Sequence, residues 1–60
     1  MESRIIFKNG NMVALKNVRR SKILYDYDNP NDPYHLYIVD TDENEYVYSL
    51  KDIDIFFDWR

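Results

Sequence analysis

The chain has 60 residues with a net charge of −3, is 45% hydrophobic and 17% aromatic, and contains no cysteine. Its length predicts a single domain over residues 1–60 that buries only about 60% of its unfolded surface. The composition excludes disulfides and a cysteine-ligated zinc site, so we expect a dense aromatic core or a partner to supply the missing stability.

The first third of the chain predicts a β-hairpin. Hydrophobic and polar residues alternate at period two in RIIFK and NMVALK, as in half-buried strands. Asn9-Gly10 lies between them and is a strong hairpin signal, because both residue types tolerate positive φ. The apolar side chains that would share one face are Ile5, Phe7, Val13 and Leu15.

The next segment predicts a bend, a strand and an irregular loop. Asn17 and the residues after it allow the bend, and KILYDY then places Ile23, Tyr25 and Tyr27 on one face. Residues 28–33 break the pattern, since prolines donate no backbone hydrogen bond and disfavour helix before them. We expect this loop to be an exposed connector.

Within this segment, residues 23–29 read ILYDYDN and resemble the ALYDY motif of Src-homology-3 domains. In that family the motif sits near the start of the fold and lines a groove for proline-rich peptides. The paired tryptophans and the later proline–tyrosine motif of the family have no counterpart here, and a hairpin precedes the motif. No residue role is therefore carried over from the resemblance.

The second half predicts three more strands. HLYIV and EYVYSL flank a turn at DTDEN, and KDIDIFFDW alternates Ile53, Ile55 and Phe57 with Asp54 and Asp58. One helical turn is allowed at SLKD, where a serine and an aspartate stand near capping-box spacing.

These elements predict an all-β fold of about five to six short antiparallel strands. We expect a strongly bent sheet or a small barrel of the Src-homology-3 or Sm kind, with at most one short helical turn. The predicted core consists of Ile5, Phe7, Val13, Leu15, Ile23, Leu36, Ile38, Ile53, Ile55 and Phe57.

The motifs give no support for catalysis or for a metal or cofactor. Residues 40–44 imitate the start of an EF-hand loop, but Glu45 replaces the glycine and Lys51 the final glutamate, so a hairpin turn is the better interpretation. His35 is the only histidine, and the sequence contains no nucleophile-elbow motif whose serine it could activate. With one glycine the chain has no phosphate-binding loop. We expect no enzyme, no cofactor and no metal site.

The charge is distributed unevenly along the chain. Residues 1–22 carry six basic side chains against one acidic, a net +5, whereas residues 23–60 carry two against ten, a net −8. Such asymmetry can mark an interaction surface. It also leaves open a small nucleic-acid-binding module that uses the basic first half, although the late acids would repel phosphates.

The acidic, tyrosine-rich second half predicts a small acidic protein-binding module, cytoplasmic and without a membrane segment. Spaced carboxylates can imitate a phosphate backbone, and tyrosine is enriched at interfaces. The bias toward Asn, Asp, Ile, Lys and Tyr is typical of AT-rich genomes, and compact chains of this kind are common in phages and mobile elements. The expectation therefore extends to a phage-type or mobile-element-type inhibitor, a nucleic-acid mimic that occupies a host nucleic-acid-handling protein with a basic surface. The alternative is a self-associating structural or accessory β protein. The expected partner-binding residues are Asp26, Asp28, Asp32, Tyr34, Tyr37, Asp40, Asp42, Glu43, Glu45, Tyr46 and Tyr48.

Overall fold

The computed structural model describes the backbone of residues 1–59 and the side chains of residues 1–58. It confirms the all-β prediction, with six strands and a single 3-10 turn in the described part of the chain. No helix there is long and apolar enough to cross a membrane. The elements are β1 (Glu2–Phe7), β2 (Met12–Leu15), β3 (Val18–Tyr25), β4 (Tyr34–Asp40), β5 (Glu45–Ser49), the 3-10 turn η1 (Leu50–Asp52) and β6 (Ile53–Trp59).

The strands form two three-stranded antiparallel sheets. The first sheet has the order β2–β1–β6 and the second has the order β3–β4–β5. The last strand thus returns to pair with the first, while β4 is the centre of the second sheet. Each sheet buries one face against the other, which is the layered arrangement that a short β chain needs to make a core.

Two positive-φ residues set the corners of the first half. Gly10, with φ of 91°, closes the β1–β2 hairpin, and its N–H donates to the carbonyl of Phe7 at 2.9 Å. Asn17, with φ of 58°, lies between β2 and β3, where the chain passes from the first sheet to the second. Asparagine tolerates this conformation better than other non-glycine residues, so the predicted bend falls at Asn17.

The core lies between the sheets and is small. Its buried centre is formed by Ile5, Val18, Leu36 and Ile38. Partly buried side chains pack around this centre: Phe7, Leu15, Tyr46, Tyr48, Leu50, Ile53 and Phe56. The period-two alternation in the sequence therefore predicted most of the core-facing residues of β1, β2 and β4. It did not predict that Val18 and Phe56 belong to the core.

The prediction that Ile55 and Phe57 lie in the core is wrong. The pairing runs Ile6 with Ile55 but Phe7 with Ile53, so β6 has one extra residue, Asp54, opposite the end of β1. A bulge of this kind reverses the side-chain alternation. Ile55 and Phe57 therefore point away from the core, and Ile55 is 48% exposed.

The same bulge places Asp58 on the side of β6 that contacts Ser3 and Ser21, although Asp58 itself is exposed. The hydroxyl of Ser3, which is fully buried, donates to the Asp58 carboxylate, and the hydroxyl of Ser21 on β3 lies 3.5 Å from its other oxygen. This group links the two sheets through side chains. A buried hydroxyl left without such a partner would destabilise the fold.

The core prediction is also wrong for Ile23. This residue pairs with Leu36 and so lies on the inward side of the second sheet, but it is exposed because it belongs to the edge strand β3. An edge strand has a neighbouring strand on one side only. The inward face of β3 extends beyond the core at this position, so the Ile23 side chain contacts solvent.

Candidate functional site

The expected partner-binding acids separate into two groups at opposite ends of β4. The loop that leads into β4 spans residues 26–33, and the turn that follows β4 spans residues 41–44. Asp26, Asp28 and Asp32 belong to the first end, while the acids of DTDENE belong to the second. The two groups do not form one continuous acidic surface.

At the second end, Asp40 is an internal anchor of the β4–β5 turn. It is buried, and its carboxylate accepts hydrogen bonds from the Asp42 and Asn44 backbone N–H groups at 2.9 Å each. The Asn44 side-chain amide donates at 3.0 Å and the Tyr46 hydroxyl at 3.2 Å. The Asn44 side-chain bond, with these others, holds the pKa of Asp40 below its ordinary value. A carboxylate satisfied in this way has little left to offer a partner.

The glutamates near this turn are also paired within the chain. Glu43, at φ of 67°, accepts two hydrogen bonds from the Arg19 guanidinium, one of them at 3.0 Å. Glu45 accepts a hydrogen bond from the Tyr37 hydroxyl, and that bond raises the pKa of Tyr37. Asp42 also belongs to this turn, and its side chain makes no hydrogen bond or ion pair within the described structure.

Tyr46 and Tyr48 lie on the core side of β5. Tyr48 packs against Phe7 with ring centroids 5.5 Å apart, and both tyrosines are half-buried against the core. Burial raises the pKa of each phenol. Their place in the core leaves them less contact area for a partner than the sequence led us to expect.

At the first end of β4, three tyrosines form an exposed cluster. Tyr25 and Tyr34 are cross-strand partners, and their rings meet edge to face with centroids 5.0 Å apart. Tyr27 packs against Tyr25 in the same manner at 4.7 Å. Exposure is 47% for Tyr25, 86% for Tyr27 and 51% for Tyr34. Only Tyr34 was among the expected site residues, although the run YDYDNPNDPY signalled the local tyrosine density.

The loop beside these rings is held by short-range hydrogen bonds. The Asp26 N–H donates to the carbonyl of Pro33 at 2.6 Å and closes the base of the loop. The Asp28 N–H donates to the Asp26 carboxylate at 3.0 Å, which makes an Asx turn. Two prolines further restrict the backbone. The cluster is thus presented by an ordered loop rather than by a flexible connector.

Asp32 fixes the far side of the loop to the end of β5. The Ser49 hydroxyl donates to its carboxylate at 2.5 Å, His35 Nε2 lies 3.6 Å from its other oxygen, and Lys51 Nζ lies at 4.0 Å. Aspartate, histidine and serine therefore meet, but the aspartate is in the middle. A catalytic triad needs the histidine between the other two, so these three residues do not have the order of a triad, and their contacts tie the loop to the end of β5. It also explains why Ser49 does not cap η1 with its side chain.

We use the name tyrosine surface for Tyr25, Tyr27 and Tyr34 together with Asp26 and Asp28. Among the described side chains, no cation lies within ion-pair distance of either aspartate. The surface therefore combines three exposed aromatic rings with two carboxylates that have no counter-ion among the described side chains. Neither a metal-binding group of three ligands nor a buried unsatisfied polar side chain occurs in the described residues.

A second exposed feature is the outer face of the first sheet. Across its three strands, Ile6 lies beside Met12 and Ile55, and Arg4 lies beside Ala14 and Phe57. Met12 is 57% exposed. An antiparallel sheet with one solvated face is expected to be polar there, so this face is unusually apolar.

Comparisons with protein-family models, with curated proteins and with solved structures found no match to this chain.

Proposed function

We propose that this chain is a non-enzymatic binding module that occupies a protein partner with a basic surface, and that the tyrosine surface makes the contact. The observation that carries the proposal is the exposed, edge-to-face packed set of Tyr25, Tyr27 and Tyr34. Tyrosine gives a large rigid contact area with a polar tip and loses little conformational entropy on binding. Clustered aromatics are the side chains most enriched where binding energy concentrates.

The ordered loop supports the same function. Binding is weakened when a loop must be immobilised in the complex. Here the Asp26–Pro33 and Asp28–Asp26 hydrogen bonds already hold the loop before a partner arrives. The loop is further tied to β5 through Asp32 and Ser49.

The charge around the tyrosines supports a basic partner. Within residues 1–58, Asp26 and Asp28 have no cation at ion-pair distance, whereas Asp32, Glu43 and Glu45 are engaged within the chain. The tyrosine rings attract cations through their faces. A protein whose basic surface binds nucleic acid has the required chemistry, and we propose that this module competes for such a surface. The local pair of carboxylates, rather than a long phosphate-like array, would make the contact.

The experiment is affinity capture from a lysate of the source cell with immobilised wild-type protein and two variants. Tyr27→Ser removes the most exposed ring of the tyrosine surface. Met12→Ser is the matched control, because it removes an exposed apolar side chain from the other sheet. The proposal expects a protein that wild type and Met12→Ser retain and that Tyr27→Ser loses.

A second step tests the mode of action with the captured protein after purification. Its complex with the module should weaken as salt rises, because rim charges speed association. Labelled nucleic acid should compete for it. A partner retained equally by all three forms contradicts the proposed contact surface.

A second candidate function is self-association through the outer face of the first sheet. The observation that favours it is the run of apolar side chains around Met12 and Ile55, since exposed patches of this kind often mark interfaces. Sedimentation equilibrium distinguishes it from the first proposal. A dimer that Met12→Glu dissociates supports self-association, whereas a monomer of 7.4 kDa at all concentrations contradicts it.

A further inference from the structure

A shallow depression lies next to the tyrosine surface, on the outer face of the second sheet. It has a volume of about 380 Å³ and is lined by Leu24, Tyr25, Asp26, His35 and Val47. Leu24 and His35 are cross-strand partners there. Three neighbouring strands and the base of the ordered loop thus form its walls.

The walls differ in chemistry from one end to the other. Leu24 and Val47 offer apolar surface and are 38% and 57% exposed, respectively. Asp26 supplies a carboxylate, and one of its oxygens accepts the Asp28 N–H. Tyr25 completes the lining between Leu24 and Asp26, while its ring packs against Tyr34 toward the other side of the sheet. An apolar trough that ends at a negative charge matches a long side chain with an apolar stem and a cationic head.

We propose that this depression receives an arginine side chain of the basic partner. The inference rests on the proposed function and names the residue type that the site would bind. The methylene groups would lie on Leu24 and Val47, as long cationic side chains commonly bury their stems on apolar surface. The guanidinium would reach the Asp26 carboxylate.

Charge complementarity decides for a cation, and the weaker hydration of a guanidinium decides for arginine. No cationic side chain of the described chain lies within ion-pair distance of Asp26. Lys22, which is on the same face, lies 5.7 Å from the Tyr37 ring centroid. A guanidinium is more weakly hydrated than an ammonium group and matches the geometry of a carboxylate, so arginine loses less than lysine on entering such a site.

The test is an NMR titration of the isotope-labelled full chain with a capped Gly-Arg-Gly peptide. Two peptides are the ligand controls: one with citrulline, which keeps the shape without the charge, and one with lysine. The arginine peptide should shift the amide signals of Leu24, Asp26 and Val47 in a saturable way. The citrulline peptide should bind at least roughly tenfold more weakly, because a charged hydrogen bond is lost.

The protein variants are Asp26→Asn and Asp42→Asn. The first removes the charge at the depression but keeps a side-chain oxygen to accept the Asp28 N–H. The second removes an equal charge from the turn at the other end of β4 and is the matched control. The inference expects Asp26→Asn to lose the preference for arginine over citrulline and Asp42→Asn to keep it.

Equal binding of arginine and citrulline, or an unchanged preference in Asp26→Asn, would overturn the site. Equal binding of the lysine peptide would overturn the assignment to arginine. These results remain distinct from a failure of the proposed function. If Tyr27→Ser still loses the captured partner while the peptide does not bind, the contact surface stands and the arginine site is wrong.

Discussion

Replacing one isoleucine in the core and one on β6 tests the register of the final strand. Ile38 is fully buried at the centre of the second sheet, whereas Ile55 is 48% exposed on the far side of the bulge. Regular alternation from Ile53 would instead place Ile55 in the core. Ile38→Ala and Ile55→Ala make the same chemical change, so their stability difference measures burial.

The structure fixes the expected magnitudes. Ile38→Ala should lower the free energy of unfolding by about 2–5 kcal/mol, because it leaves a cavity. Ile55→Ala should cost only about 1 kcal/mol, since three carbons at ~0.8 kcal/mol each are about half exposed already. A 60-residue domain has a total stability of roughly 3–9 kcal/mol, so the first variant should be close to unfolding.

The assay is urea denaturation followed by circular dichroism, with the midpoints of both variants compared with wild type. The loss should be at least twofold larger for Ile38→Ala than for Ile55→Ala. Equal and large losses would refute the bulge at Asp54 and restore the regular alternation that the sequence predicted.

The remaining predictions concern polar contacts. The lowered pKa of Asp40 contributes stability that is fully present above the ordinary carboxyl pKa of 3.8 and is lost as pH falls through the lowered value. The difference between the urea midpoints at pH 7 and pH 3 should therefore be smaller for Asp40→Asn than for wild type. Ser49→Ala removes the bond to Asp32 and should cost about 0.5–1.5 kcal/mol while speeding hydrogen exchange in residues 29–33; unchanged exchange would show that the bond does not order the loop. Arg19→Gln breaks an exposed pair with Glu43 and should shift stability by less than ~1 kcal/mol; a larger loss in thermal melting would contradict a surface role.

Period-two alternation could predict much of this fold, because it depends on local sequence. Ile5, Leu36 and Ile38 face the core as expected, and Gly10 closes the predicted hairpin. The bulge at Asp54 was not predictable in the same way. A single extra residue leaves the letters of KDIDIFFDW looking regular, and only the pairing with β1 reveals it.

The candidate site shows the same limit. DTDENE reads as an acidic surface, but four hydrogen bonds to Asp40 use that carboxylate inside the turn. Neutralising the acids of this turn together would therefore disturb the fold as well as any binding. The tyrosine cluster depends on the pairing of Tyr25 with Tyr34 across an eight-residue loop, a contact that composition suggests but cannot establish.

Site-specific photo-crosslinking tests the central claim, that the tyrosine surface contacts a protein partner, most directly. A photoreactive phenylalanine analogue would replace Tyr27 in one sample and Met12 in another, and each protein would be irradiated in the source cell. The account predicts a discrete adduct with a second, basic protein from position 27 and none with that protein from position 12. An adduct with that protein from position 12 alone, or only adducts between two copies of this chain, would contradict it.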